Sequence, residues 1–340
     1  MIRSKENNNR TILIVTDNVA SQINGVVTTF TNVEKQAVKN NYQISYIDPS
    51  LFFHFSALGY PEVKLSFPWN IGKHILEINP DHIHIATEGP LGLSARIWCD
   101  NHNIKYNTSY HTKFPEFLKE LYNIPESITY SYVRWFHKHS GKVLTTTQTM
   151  VDDLKSHGFD GDIIPWTRGV DRTIFKRSDR TFRKPITLLS VGRISKEKGL
   201  DDFCELQLKN YSVNKIVVGD GPYLNELKKK YPDINFVGKK TGSELASYFN
   251  EADVFVFTSK TDTFGIVIIE SLSVGTPVAA YPVPGPIDIL EQGVTGFMNE
   301  NIEDAVEACL YLDRNKVYEN SSKWTWENCW KIFKENLIKK

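Results

Sequence analysis

The chain has 340 residues, 41% hydrophobic and 24% charged, with 40 basic and 40 acidic side chains. That length suits two domains better than one core, and the balanced charge leaves no global positive field for nucleic acid. Four scattered cysteines without a C-x-x-C pair exclude a disulfide framework or a cysteine zinc site and fit reduced thiols, and no apolar run approaches the ~18 residues of a membrane span.

Residues 1–10 are polar and Asn-rich and read as a short disordered tail rather than a signal peptide. The expected location is cytoplasmic, with at most peripheral contact at the inner face of a membrane. From Thr11 onward, apolar strand patterns alternate with helical ones. Thr11 to Thr16 reads as a buried strand, Asp17 to Gly25 as a loop and Val26 to Asn40 as a helix. Tyr42 to Ile47 is the next strand, and Leu51 to Trp69 reads as an aromatic, Pro-containing connection. Gly72 to Asn79 is helical, Asp81 to Ala86 a strand, Leu91 to Asn103 a helix and Ile104 to Tyr110 a strand. Helical stretches near Phe114 to Tyr122 and Ile128 to Ser140 lead to a strand at Lys142 to Thr146 and a helix at Thr149 to His157. Strands alternating with helices predict parallel βαβ units, hence a doubly wound sheet. The basic segment Phe175 to Pro185 reads as a linker, and a second alternating set follows. Its strands are Ile186 to Val191, Lys215 to Val218, Ile234 to Val237 and Val254 to Phe257. Its helices are Leu200 to Leu208, Leu224 to Lys230 and Ser243 to Asn250, and Trp324 to Leu337 closes the chain as an amphipathic helix. The expected organisation is a tail (1–10), a first domain (11–174), a linker (175–185), a second domain (186–323) and a C-terminal helix (324–340).

Several loops at strand ends carry chemistry. The richest runs from Thr261 to Val278, where Asp262 and Glu270 stand eight apart around a Phe264-Gly265 turn and an apolar helix. Loops at the carboxyl ends of strands are where ligands sit in such sheets. An acid there, beside the free amides of a helix start, suits a polyhydroxylated ligand carrying phosphate. In Ser190 to Leu200, Arg193 ends a strand and Lys198 follows five later, two cations able to stabilise a departing diphosphate. A basic loop of this kind is also what a solvated surface looks like. Asn24-Gly25 opens a helix, and Gly25 lets backbone approach a ligand closely, though a plain turn has the same composition. His111 ends another strand, a position that favours function in a residue type that is often structural. Gly219-Asp220-Gly221-Pro222 is a turn by composition. Arg168 can contact phosphate or pair with an acid. The mixture of Phe117, Tyr122, Tyr130, Tyr132, Trp135 and Phe136 with Lys119, Arg134 and Lys138 fits packing in a core, and also an anionic bilayer surface.

Taken together, these segments resemble glycosyltransferase family 4. Thr261 to Val278 resembles its E-x7-E signature, with Asp262 in place of the first Glu and therefore a shorter reach. Gly192 to Gly199 resembles its G-R-x-x-x-x-K-G segment, lying ~65 residues upstream as the family pattern expects. Ser109 to Pro115 resembles the S-Y-H-T-x-x-P stretch of members that build mannosyl, glucosyl and sulfoquinovosyl lipids, and Trp166 to Asp171 resembles a segment ending in G-V-D. The resemblance covers Thr11 to Leu337.

It implies a GT-B architecture: two Rossmann-like, doubly wound parallel-sheet α/β domains facing a cleft, with the last helix crossing back to the first. It implies a retaining hexosyltransferase that uses a nucleotide-diphosphate sugar, of the GDP-mannose or UDP-glucose type, and a lipid or saccharide acceptor. Arg193 and Lys198 would hold the diphosphate, Gly25 would assist with backbone amides, and Glu270 would bind the ribose hydroxyls. Asp262 would read the sugar with Thr263, Phe264 and Gly265, His111 would line the sugar pocket, and Gly221 and Arg168 would lie near the nucleotide. Neither a metal nor another cofactor is expected. A sugar-nucleotide epimerase on the same fold, or a non-catalytic nucleotide-sugar-binding protein, would present similar segments.

Overall fold

The computed structural model describes residues 10–19, 22, 24–57, 60–178 and 185–340. The chain divides into two compact units, Met1–Thr167 with Trp326–Lys340, and Arg168–Thr325. The first unit therefore ends seven residues before the boundary expected from sequence. The proposed tail lies outside the described residues, except for Arg10, which begins the first strand.

The first unit runs β1 (Arg10–Val15), α1 (Gly25–Lys39), β2 (Tyr42–Ile47), β3 (His54–Ala57), β4 (Tyr60–Ser66), α2 (Ile71–Ile78), β5 (His82–Ile85), α3 (Pro90–Asn101), β6 (Asn107–Tyr110), α4 (Phe114–Tyr122), α5 (Glu126–His137), β7 (Val143–Thr145), α6 (Gln148–Ser156) and β8 (Ile163–Pro165). Six strands form one parallel sheet in the order β2-β1-β5-β6-β7-β8. The apolar run in β1 has a simple cause. Ile12 and Ile14 pack into the core on one face, Leu13 and Val15 into the core on the other. A strand covered on both faces has no polar side to alternate with.

The stretch 51–69 is not a plain connection. It contains the antiparallel pair β3 and β4. Its rings Phe53, Phe55 and Phe67 pack on one another, with centroids 5.9 and 5.8 Å apart, and all three remain exposed. The exposed rings Phe53, Phe55 and Phe67 are not the period-2 pattern of a strand with one face in a core.

The second unit runs β9 (Ile186–Val191), α7 (Leu200–Glu205), β10 (Val213–Val218), α8 (Leu224–Lys230), β11 (Asn235–Gly238), α9 (Gly242–Glu251), β12 (Val254–Phe257), α10 (Ile266–Ser273), β13 (Val278–Ala280), α11 (Pro286–Ile289), β14 (Gly296–Met298), α12 (Ile302–Cys309) and α13 (Arg314–Asn320). Its strands order as β11-β10-β9-β12-β13-β14, again all parallel. β12 repeats the two-sided pattern, with Val254 and Val256 in one core and Phe255 and Phe257 in the other. The segment read as a linker does not begin as one. Phe175 is buried in the second unit's core, Asn250 accepts from the Ser178 amide at 2.9 Å and donates to the Lys176 carbonyl at 3.0 Å. Residues 179–184 lie outside the described set.

The final helix, α14 (Trp326–Glu335), belongs to the first unit. Trp326, Cys329, Trp330 and Phe333 recur at helical spacing and join the core that holds Ile12, Phe30 and Trp166. Trp166 donates to the Cys329 carbonyl at 2.9 Å and stacks on Phe333 at 5.0 Å. Each large side chain buried here contributes roughly 1.5–3 kcal/mol, so α14 is a structural layer of the first unit.

Candidate functional site

In each sheet the chain starts at an interior strand, builds to one side, then returns to build the other. The reversal falls between β9 and β12 in the second unit and between β1 and β5 in the first. Connections diverge there and leave a crevice outside the carboxyl ends of the strands, the usual seat of ligands in open α/β sheets.

In the second unit the loop after β9 carries Arg193 and Lys198, and the loop after β12 carries Asp262, Thr263, Phe264 and Gly265. The two loops meet. Lys198 Nζ donates to Asp262 Oδ1 at 2.6 Å, with both side chains about a quarter exposed (23% and 27%). Thr258 Oγ1 donates to the Lys198 carbonyl at 3.0 Å. Gly199 makes that contact possible: it sits at φ +62, and a Cβ there would lie 2.8 Å from the Thr258 carbonyl. Arg193 is half-buried, directly beyond the end of β9. The β10 loop closes on the same place, because a Cβ on Gly221 would stand 2.3 Å from the Ile194 carbonyl.

Gly265, at φ +84, precedes the first turn of α10, and Thr263 and Phe264 are buried beside it. The Phe264 ring meets Trp324 edge-on at 5.7 Å. Glu270 lies on α10, and burial pushes its carboxyl from the ordinary 4.5 up to about 7. Lys198, Asp262, Thr263, Phe264 and Gly265 are thus brought to one switch point, with Arg193 and Gly221 on loops that border it. Arg168, at the start of the second unit, is sealed at 3% exposure. A cation on one loop, with an acid on the adjoining loop as its partner, can share its remaining N–H donors with an anionic ligand.

In the first unit, Gly25 opens α1. Asn24 caps the helix, its side chain accepting from the Val27 amide at 2.9 Å. The amides of Gly25 and Val26 belong to the first turn, which has no internal acceptors to offer them. His111 follows β6, half-buried, with Phe30 and Trp166 rings 5.9 and 5.8 Å away.

Sequence reasoning passed over Asp17 in this unit. Its carboxylate accepts from Thr87 Oγ1 at 2.6 Å and from the Leu91 amide at 2.8 Å, and its own amide donates to Thr87 Oγ1 at 2.8 Å. It ties the loop after β1 to the loop after β5 and caps α3, and burial raises its carboxyl to about 6. A usable signal was present: an Asp directly after an apolar strand.

The aromatic–basic stretch 114–138 is part core and part surface. Tyr130, Val133 and Phe136 are buried, and Arg96 lies 3.9 Å over the Trp135 ring. Tyr122 and Ile128 remain exposed. Within the first unit, rings more exposed than these lie on or beside the β3–β4 pair, with Phe53 at 76% and Trp69 at 81%. No helix among the described residues is long and apolar enough to cross a membrane.

Two Rossmann-like parallel-sheet units of this kind are the GT-B architecture of glycosyltransferases. A sucrose-phosphate synthase from Thermosynechococcus elongatus superposes with a TM-score of 0.78 over 96% of this chain and 98% of its own, at 14% identity. The sequence models for Glycosyltransferase Family 4 and for Glycosyl transferases group 1 match residues 23–173 and 171–324. The chain belongs to glycosyltransferase family 4. Its relatives include a GDP-mannose-dependent alpha-mannosyltransferase of Corynebacterium glutamicum, 27% identical over 93% of this chain and 86% of that protein. They also include an alpha-monoglucosyldiacylglycerol synthase of Streptococcus pneumoniae, 27% identical over 85% of this chain and 68% of that protein.

Proposed function

We propose that the protein moves a hexose, with retention of configuration, from a nucleotide-diphosphate sugar to a lipid or saccharide acceptor. The donor is of the GDP-mannose or UDP-glucose type. The observation that carries this reading is the meeting of Lys198 and Asp262 at 2.6 Å at the second unit's switch point. A phosphate-binding cation and a hydroxyl-binding acid there suit a ligand that is anionic at one end and polyhydroxylated at the other. The named relatives, one dependent on GDP-mannose and one a glucosyl-lipid synthase, support the substrate classes.

In this reading Arg193 and Lys198 hold the diphosphate and offset the negative charge that grows as it departs. The amides of Gly25 assist, and Gly221 and Arg168 lie near the nucleotide. Glu270 accepts hydrogen bonds from the two ribose hydroxyls. Asp262 binds sugar hydroxyls together with the backbone at Thr263, Phe264 and Gly265, and His111 lines the sugar pocket. The bond between the anomeric carbon and the diphosphate oxygen breaks. The acceptor oxygen bonds to that carbon on the same face, and its proton passes to the departing phosphate. Charge compensation comes from two side chains, so no metal or other cofactor is needed. For a lipid acceptor, the exposed rings of the β3–β4 pair supply the peripheral contact with the membrane.

The test is the product. Incubation with each donor and with candidate acceptors, followed by mass and anomeric proton NMR, should give a glycoside of the donor's own anomeric configuration. An inverted product removes the retaining assignment. A product of unchanged donor mass and altered sugar stereochemistry would instead mean epimerisation.

A further inference from the structure

The first unit has its own switch point, between β1 and β5, and the loops there carry Asp17 and Glu88. Glu88 is held tightly for a residue at a loop end. Its carbonyl accepts from the Tyr132 hydroxyl at 2.6 Å. Its Oε1 is buried without a hydrogen bond and faces His137 Nε2, likewise buried, at 3.4 Å. The His137 side chain is 1% exposed and that of Glu88 11%, so what remains open on Glu88 lies away from Oε1.

The protonation of this pair follows from hydrogen-bond direction. Ser140 Oγ can only donate to the Lys142 carbonyl, at 2.6 Å. Thr108 Oγ1 donates to Ser140 Oγ at 2.9 Å. With its proton used, Thr108 Oγ1 accepts from His137 Nδ1 at 2.8 Å. Neutral imidazole carries one donor and one acceptor nitrogen. A neutral His137 would therefore turn the lone pair of Nε2 toward a carboxylate oxygen, in a site sealed from water. A proton between Nε2 and Oε1 removes that conflict, so the pair holds one proton beyond Nδ1–H. The other titratable groups facing it are Asp17 beyond β1, Tyr110 on β6 and Tyr132 on α5.

We propose that Glu88 is an acceptor-binding residue of the transferase, oriented by the proton it shares with His137, and that its Oε2 accepts a hydrogen bond from an acceptor hydroxyl. The ligand class follows from what the pair presents. With its shared proton the Glu88–His137 pair carries no net charge and offers an acceptor oxygen, which suits a neutral, hydroxyl-bearing molecule, whereas the second unit's switch point carries Arg193 and Lys198, the cations a diphosphate needs. Glu88 touches substrate in this account, and His137 is a positioning residue. The inference rests on the transferase reading and deepens it.

The experiment compares wild type with Glu88→Gln in two measurements. The first is the ratio of sugar transfer to donor hydrolysis, with dioleoylglycerol in phosphatidylglycerol vesicles, methyl α-mannoside and molar glycerol as probes. The second is nitrogen-15 NMR of His137 near neutral pH, with a nucleotide-induced thermal shift as the control for the donor site. The expected result is a fall of about tenfold in the ratio, the scale of one charge-assisted hydrogen bond, with the nucleotide shift retained. In wild type both nitrogens of His137 should be protonated or exchanging a proton with Glu88, and in Glu88→Gln only Nδ1. An unchanged ratio, a nucleotide shift lost together with transfer, or a bare Nε2 beside an ionised Glu88 in wild type would each overturn the proposal. Absence of any nucleotide shift in wild type would instead strike the donor assignment, while the NMR result still decides the pair.

Discussion

Acidification should weaken nucleotide binding through Glu270. Burial raises its carboxyl to about 7 in the free protein. Because the folded value lies above the unfolded one, the unfolded chain ionises first. This single group therefore makes the fold less stable as pH rises from about 4.5 to 7, by at most about 3 kcal/mol. Binding has the opposite sign. Ribose hydroxyls donate to the ionised carboxylate, so the complex favours the charged form and binding releases a proton. With a value near 7, roughly one molecule in eleven is ionised at pH 6 and about nine in ten at pH 8. The apparent Kd for a nucleoside diphosphate should thus rise about tenfold between pH 8 and pH 6. Calorimetry in two buffers of different ionisation enthalpy measures both the affinity and the released proton. Inorganic diphosphate, which has no ribose, and the Glu270→Gln variant separate this effect from titration of the phosphates. If wild type and Glu270→Gln show the same pH slope, Glu270 does not bind the ribose.

Other outcomes follow from the same geometry. Lys198→Ala and Arg193→Ala should each lower turnover by roughly ten- to a thousandfold, read in a steady-state assay with near-native thermal stability; unchanged turnover in both would refute their role at the diphosphate. Asp17→Ala removes the cap of α3 and the partner of Thr87, a loss of roughly 1–3 kcal/mol that denaturant unfolding should register as a lower midpoint. Replacing Phe53 and Trp69 by Ser should reduce co-sedimentation with phosphatidylglycerol vesicles and leave stability unaltered, since both rings are largely exposed; unaltered co-sedimentation would remove the β3–β4 pair from the membrane reading.

The alternation of strands and helices was readable because its cause is local. Ile12 to Val15 and Val254 to Phe257 are apolar without a break, since both faces of each strand are buried. The residues now placed at the second switch point were readable for a similar reason. Arg193, Lys198, Asp262 and Gly265 each follow the end of a strand, and their spacing survives in the chain. What escaped depends on contacts between distant residues. The β3–β4 pair has rings that pack on each other in the open, and the start of the linker segment is fixed by Asn250, more than 70 positions away. The short β14, α12 and α13 occupy a stretch in which no motif drew notice. The pairing of Glu88 with His137 spans 49 positions, and nothing in either local sequence announces it.

The most direct test of the central claim is calorimetric titration with UDP, GDP, UDP-glucose and GDP-mannose, without added metal, on wild type and Arg193→Ala. The account predicts that one nucleotide family binds and that the arginine variant loses most of that affinity. Binding that is equally tight in the variant, or no binding of any of the four by a folded wild-type protein, would contradict it.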